Sequence, residues 1–136
     1  MKEMNVDADL KELDKVQDFI REELEQYDVS PKVMFQLELA VEEIYTNITS
    51  YAYHPELGKA TINCSVEENP LRVTIQFLDS GKPFDPLAKD EADTSKQALL
   101  ERTGGLGIFL VKKNMDDVEY SYENGKNVLT ISKALE

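Results

Sequence analysis

From Asp9 onward, apolar side chains return at three- and four-residue steps, at Leu10, Leu13, Val16, Ile20 and Leu24, the spacing of one face of an α-helix. Asp9 and Glu12 stand at its start as a capping-box-like pair. A second helix is predicted to begin at Ser30-Pro31, where Ser caps and Pro fits the first turn, and to end before Pro55. Its inward stripe reads Val33, Leu37, Ala40, Val41, Ile44 and Ile48. Beyond Gly58 the period falls to two. Ile62, Cys64 and Val66 share one face, and after the turn Glu68-Asn69-Pro70 so do Leu71, Val73, Ile75 and Phe77, which predicts two paired strands. The stretch from Asp85 to Arg102 has little apolar rhythm and reads as a mobile loop. Gly104-Gly105-Leu106-Gly107 then opens a helix-like run from Ile108 to Met115. Val118, Tyr120 and Tyr122, then Asn124-Gly125 and the run Val128 to Ile131, form a closing hairpin. The order helix, helix, strand, strand, loop, helix, strand, strand predicts an α+β fold with helices layered on one sheet.

Composition narrows what such a fold can do. The chain has 136 residues, which predicts one domain over 1–136, and 41% hydrophobic residues support a packed core. Against 15 Lys+Arg stand 27 Asp+Glu, a net charge of −12 that repels polyanions and speaks against direct nucleic-acid binding. One cysteine, Cys64, and one histidine, His54, cannot build a Cys/His zinc site or an internal disulfide. No apolar run approaches the ~18 residues of a membrane span. The start Met1-Lys2-Glu3-Met4 lacks the apolar stretch of a signal peptide. The expectation is a soluble cytoplasmic protein without a membrane partner.

Three places could carry chemistry. Glu43 and Asn47 lie one turn apart on the second helix, on the shoulder of its buried stripe, where they are either a polar pair facing a cleft or ordinary boundary residues. Asp79 continues the parity of Leu71, Val73, Ile75 and Phe77 and so aims a carboxylate inward. Such a group costs several kcal/mol unless a protein donor or a ligand meets it. Asp79-Ser80-Gly81 can equally be a turn in which the acid caps its own backbone. Gly104, Gly105 and Gly107 precede a helix, whose free N–H groups accept phosphate oxygens; a plain loop hinge has the same composition. The P-loop Gly-Lys-Ser/Thr is absent. Arg102 and Lys112 can add charge near a phosphate cradle or remain solvated.

In this order, Glu43-xxx-Asn47, then Asp79-Ser-Gly81-Lys-Pro-Phe84-Asp85-Pro86, then Gly104-Gly-Leu-Gly-Ile-Phe-Leu, the motifs resemble the N, G1 and G2 boxes of the GHKL ATPases. That superfamily includes gyrase, histidine kinases and a heat-shock chaperone. Among its members the chain looks most like the small bacterial anti-sigma factor serine kinases, over nearly its whole length. The resemblance implies a two-layer α/β sandwich, a mixed or antiparallel sheet covered on one face by about three helices. It implies ATP and Mg²⁺ as cofactors. Asp79 would hydrogen-bond the adenine amino group and Gly81 would admit the base. Asn47 would ligate Mg²⁺, and Glu43 would be the general base. Phe84, Arg102, Gly104, Gly105, Leu106 and Gly107 would line the nucleotide site, with Pro86 to Thr103 as its lid. It further implies a homodimer, a sigma factor as one partner and an antagonist of the anti-anti-sigma (STAS) type as phosphoacceptor.

One position departs from that pattern. Many relatives place His or Lys four residues beyond the N-box Asn, where Tyr51 stands here; His54 lies on the Glu43 and Asn47 shoulder. Two readings follow, a protein serine kinase or an ATP-gated binding module without chemistry.

Overall fold

The computed structural model describes residues 2–49, 58–83, 85, 87 and 105–135, with residues 105–107 in backbone only. The elements run β1 (Lys2–Asp7), a 3-10 turn (Leu10–Glu12), α1 (Leu13–Leu24), α2 (Pro31–Asn47), β2 (Lys59–Glu67), β3 (Arg72–Asp79), α3 (Gly105–Asn114), β4 (Asp117–Glu123) and β5 (Lys126–Ala134). The strands form a five-stranded sheet in the order β1-β2-β3-β5-β4, and every pairing is antiparallel. The expected two-layer α+β architecture is therefore present, with the sheet wholly antiparallel.

Alternation along each strand sends one row of side chains to the helices. Ile62 and Cys64 of β2, Val73, Ile75 and Phe77 of β3, and Leu129 and Ile131 of β5 are buried on that face. Register aligns them across strands as Ile62, Phe77 and Leu129, and as Cys64, Ile75 and Ile131. Against them pack Val16, Ile20 and Leu24 of α1, Leu37, Ala40, Val41, Ile44 and Tyr45 of α2, and Val111 of α3. The opposite face is polar, with Asn63, Gln76 and Thr130 in one cross-strand row. Burial has also pushed the Cys64 thiol up to about 12, so this thiol stays protonated and inert at neutral pH.

The chain ends its elements where local chemistry directs. Ser30 Oγ accepts from Val33 N at 3.2 Å, capping α2 with Pro31 in its first turn. Asn124 and Gly125 join β4 to β5, both with positive φ, 53° and 76°, as a two-residue hairpin turn of right-handed twist requires.

Several expectations are corrected. β1 was absent from the order read off the sequence; its residues Lys2-Glu3-Met4-Asn5-Val6-Asp7 alternate weakly, and only Val6 becomes buried. Asp9 caps the 3-10 turn by accepting from Lys11 N at 3.0 Å, so the regular helix starts at Leu13 and Leu10 is 53% exposed. Tyr122 also faces solvent. The end of the second helix before Pro55 lies outside the described residues.

Tyr45, fully buried, was missed because its ring belongs to the core and its hydroxyl does not. That hydroxyl reaches the carbonyls of Asp7 at 2.9 Å and Asp9 at 2.8 Å, which ties α2 to the end of β1. Burial pushes the phenol up to about 12, so it stays a donor. Tyr45→Phe keeps the packing and removes this tie; urea unfolding of the variant is expected to show a loss of about 1 kcal/mol with an unchanged m-value.

Candidate functional site

Topology directs three segments toward one end of the sandwich. Tyr45 holds the last turns of α2 at Asp7, Asp7 pairs with Lys59, and the next residue, Ala60, pairs with Asp79. β3 leaves the sheet at Asp79, whereas β4 enters at the opposite end, with Asp117 beside Ser132. α3 makes the return. Its last turn is held at that far end, where Lys133 Nζ donates to the Asn114 carbonyl at 2.6 Å and Asp116 N donates to the Ser132 carbonyl at 3.0 Å. The first turn of α3, with Gly105 and Gly107, heads back toward the Asp79 end. Lys112, read as either near the cradle or solvated, sits in the last turn of α3, about 10 Å along the axis from Gly105.

Asp79 is 6% exposed, closing a strand face otherwise made of Val73, Ile75 and Phe77. Both readings of this acid are met at once. Gly81 N donates to Asp79 Oδ1 at 3.0 Å, which is the capped turn, and Asn127 Nδ2 donates to the same oxygen at 2.8 Å, which is the inward acid with a donor. Among the described residues none donates to Oδ2. Burial raises the Asp79 carboxyl above its ordinary range, and the two donors from Asn127 and Gly81 only partly oppose it.

Asn127 was not singled out from the sequence, although it could have been. It lies two residues before Leu129 and shares the inward parity of Leu129 and Ile131, the argument that identified Asp79. It too is 6% exposed. Its Nδ2 also donates to the Lys82 carbonyl at 2.8 Å, and its Oδ1 accepts from the Tyr120 hydroxyl. One carboxamide thus fixes the carboxylate, the start of the loop after β3, and a tyrosine on β4.

Glu43 and Asn47 are both half-buried, with Glu42 exposed beside them. Glu43 lies in a narrow cleft with Gln36, Leu39 and Ala40 of α2 and Leu110, Val111 and Asn114 of α3. Burial, then the neighbouring Glu42 charge, raises its carboxyl. Among the described residues Asn47 Nδ2 is buried without an acceptor. An unpaired buried donor is costly and marks a side chain held for more than stability. A carboxamide oxygen suits a hard cation. Among the described residues no group of three His, Cys, Asp or Glu could hold a metal, so further ligands to such a cation would come from a bound molecule or water. Phe84, Arg102, Gly104, Tyr51, His54 and most of the stretch from Pro86 to Thr103 lie outside the described residues, as does the Leu106 side chain. Among the described residues no helix is long and apolar enough to cross a membrane.

A carboxyl whose folded value is raised contributes stability below its ordinary range and loses it as pH rises through the raised value. Asp79→Asn retains an acceptor for Gly81 and Asn127 and removes the buried charge. Urea melts of both proteins are therefore expected to coincide most closely in acid, with the variant increasingly the more stable as pH rises to 7; a variant that weakens progressively over that interval would refute this account of the site.

Residues 6–133 match the Histidine kinase-like ATPase domain. The chain is similar to the serine-protein kinase RsbW of Listeria monocytogenes serovar 1/2a, 34% identical over 98 residues, 68% of this chain and 61% of that protein. It is also similar to the anti-sigma F factor of Caldanaerobacter subterraneus subsp. tengcongensis, 29% identical over 104 residues, 76% of this chain and 71% of that protein. The chain thus spans less than two thirds of the length of the Listeria relative. In three dimensions it resembles the nucleotide-free catalytic domain of the histidine kinase ThkA, with a TM-score of 0.54 at 14% identity, covering 99% of this chain and 98% of that one. With nearly its whole length matched and the two-layer fold in place, the chain belongs to the histidine kinase-like ATPase domain family of the GHKL superfamily.

Proposed function

We propose that this protein binds ATP with Mg²⁺ and acts as an anti-sigma-type protein serine kinase. It transfers the γ-phosphate to a serine of an antagonist of the anti-anti-sigma (STAS) type and sequesters a sigma factor by partner switching. The observation that carries the reading is the buried Asp79 carboxylate, secured through one oxygen and, among the described residues, without a donor on the other. An ionised carboxylate is an acceptor only, which selects a base with an exocyclic amine. The names of the Listeria and Caldanaerobacter relatives support the serine kinase and anti-sigma parts.

Bound ATP with Mg²⁺ supplies the transferable phosphoryl group and the cation that offsets its charge. Asp79 orients the base, and Gly81 lets it approach the backbone closely. Asn47 offers its carboxamide oxygen to the cation, and the backbone of Gly104, Gly105 and Gly107 at the head of α3 offers N–H groups to phosphate oxygens. Phe84, Arg102 and Leu106 complete the nucleotide site. Glu43 takes the proton of the attacking serine hydroxyl, and the burial that raises its carboxyl makes it a better base. The protein works in the cytoplasm of a bacterium, as a homodimer of single-domain chains. Tyr51, in place of the His or Lys of many relatives, favours a second reading, an ATP-gated regulator that switches partners without transfer.

Calorimetry with ATP and ADP, with and without Mg²⁺, tests binding. Micromolar affinity, about −8 kcal/mol, is expected in the wild type and its loss in folded Asp79→Asn and Asn47→Ala. Glu43→Ala is expected to bind ATP normally and to slow transfer of labelled γ-phosphate to the antagonist by about 10²–10⁴-fold. Binding without transfer in the wild type would select the second reading, and no binding to the folded wild type would overturn both.

A further inference from the structure

The helical layer carries a feature that nucleotide binding does not use. Asp14, Gln17, Asp18 and Arg21 of α1 and Phe35, Glu38, Leu39 and Glu42 of α2 line a groove of about 420 Å³ between the two helices. Each set follows the i, i+3, i+4, i+7 spacing of a single helix face, beside the stripe that the same helix turns to the core. The groove is prearranged: Gln17 Nε2 donates to the Glu38 carbonyl at 2.9 Å, and Arg21 donates to Glu38 Oε1 from Nε at 3.2 Å and Nη2 at 2.8 Å and to Asp18 Oδ1 at 3.1 Å. The Arg21 guanidinium is thereby committed to Glu38 and Asp18, leaving Asp14 and Glu42 with no cation of the groove bonded to them.

A further observation points to an occupant. Phe35, 61% exposed, is the most exposed large apolar side chain among the described residues, and Leu39 beside it is 38% exposed. An exposed apolar ridge with acidic rims asks for an amphipathic segment with apolar anchors and cationic side chains. A second copy of this chain would set acid against acid on a background of −12.

We infer that the α1–α2 groove docks a basic amphipathic helix of a partner protein, its apolar face on Phe35 and Leu39 and its Lys or Arg side chains on Asp14 and Glu42. The site is independent of the nucleotide and holds whether or not ATP binds.

The probe is a fluorescein-labelled helical peptide of about four turns with leucines at i, i+3, i+4, i+7 spacing and lysines elsewhere, titrated into the 136-residue chain and followed by anisotropy. Saturable binding is expected, weakened at least tenfold by Phe35→Ser, by Glu42→Gln combined with Asp14→Asn, and by 0.5 M salt. These positions are exposed or half-buried, and circular dichroism checks that the variants fold. The same peptide with glutamates for lysines is expected not to bind. Binding that Phe35→Ser leaves unchanged would place the peptide elsewhere on an acidic surface and overturn the inference. So would absence of binding, or a concentration-dependent dimer in sedimentation that Phe35→Ser abolishes, which would make the occupant a second copy.

Discussion

A carboxylate at the end of a hydrophobic strand face is the constraint around which one end of this molecule is arranged. Asp79 stands in the row that begins with Val73, Ile75 and Phe77, and burial there raises its carboxyl. Its two donors come from opposite sides in sequence, Gly81 from its own turn and Asn127 from the neighbouring strand. The β3–β5 pairing must therefore be in register before the carboxylate is supported. A slip of one residue would turn Asn127 to the polar face and leave the acid with the Gly81 donor alone. The Tyr120 hydroxyl holds the oxygen end of that carboxamide, so the β4–β5 hairpin also bears on the acid.

The helical layer is coupled to the same end through a different bond. α2 carries Glu43 and Asn47, and little about an amphipathic helix fixes how far along the sheet it lies. The Tyr45 hydroxyl at the carbonyls of Asp7 and Asp9 supplies that reference point. Because β1 is an edge strand paired to β2 alone, it acts as a strap that both closes the sheet and positions α2. A strand of weak alternation thus has a strong positional effect.

What the sequence made legible follows from which interactions are local. Helix stripes at three- and four-residue steps, the alternation of β2 and β3 and the Asn124-Gly125 turn depend on a few neighbouring residues, and the elements built on them formed. The inward aim of Asp79 was readable because four residues of one strand agree on a parity. β1 was not, because Lys2, Glu3 and Asn5 carry no pattern until β2 lies beside them. Tyr45 lay next to a predicted stripe, and its role depends on a contact with residues 36 and 38 positions away. Of the candidate site, the Asp79 turn was local and legible, whereas the convergence of α2, β3 and α3 on one end depends on the antiparallel register and on the return path through α3.

Charge distribution separates two tasks on the same helices. Glu43, half-buried in the cleft between α2 and α3, has its carboxyl raised by loss of water, which suits a group that must accept a proton. Glu42, one residue earlier, lies exposed on the groove between α2 and α1, where a carboxylate suits recognition of a cation. One step of about 100° around the helix carries adjacent glutamates from a poorly solvated cleft to an open rim. Their coupling is nonetheless direct, since the Glu42 charge is itself one of the causes that raise Glu43. A cation seated against Glu42 would offset that charge and lower the Glu43 carboxyl.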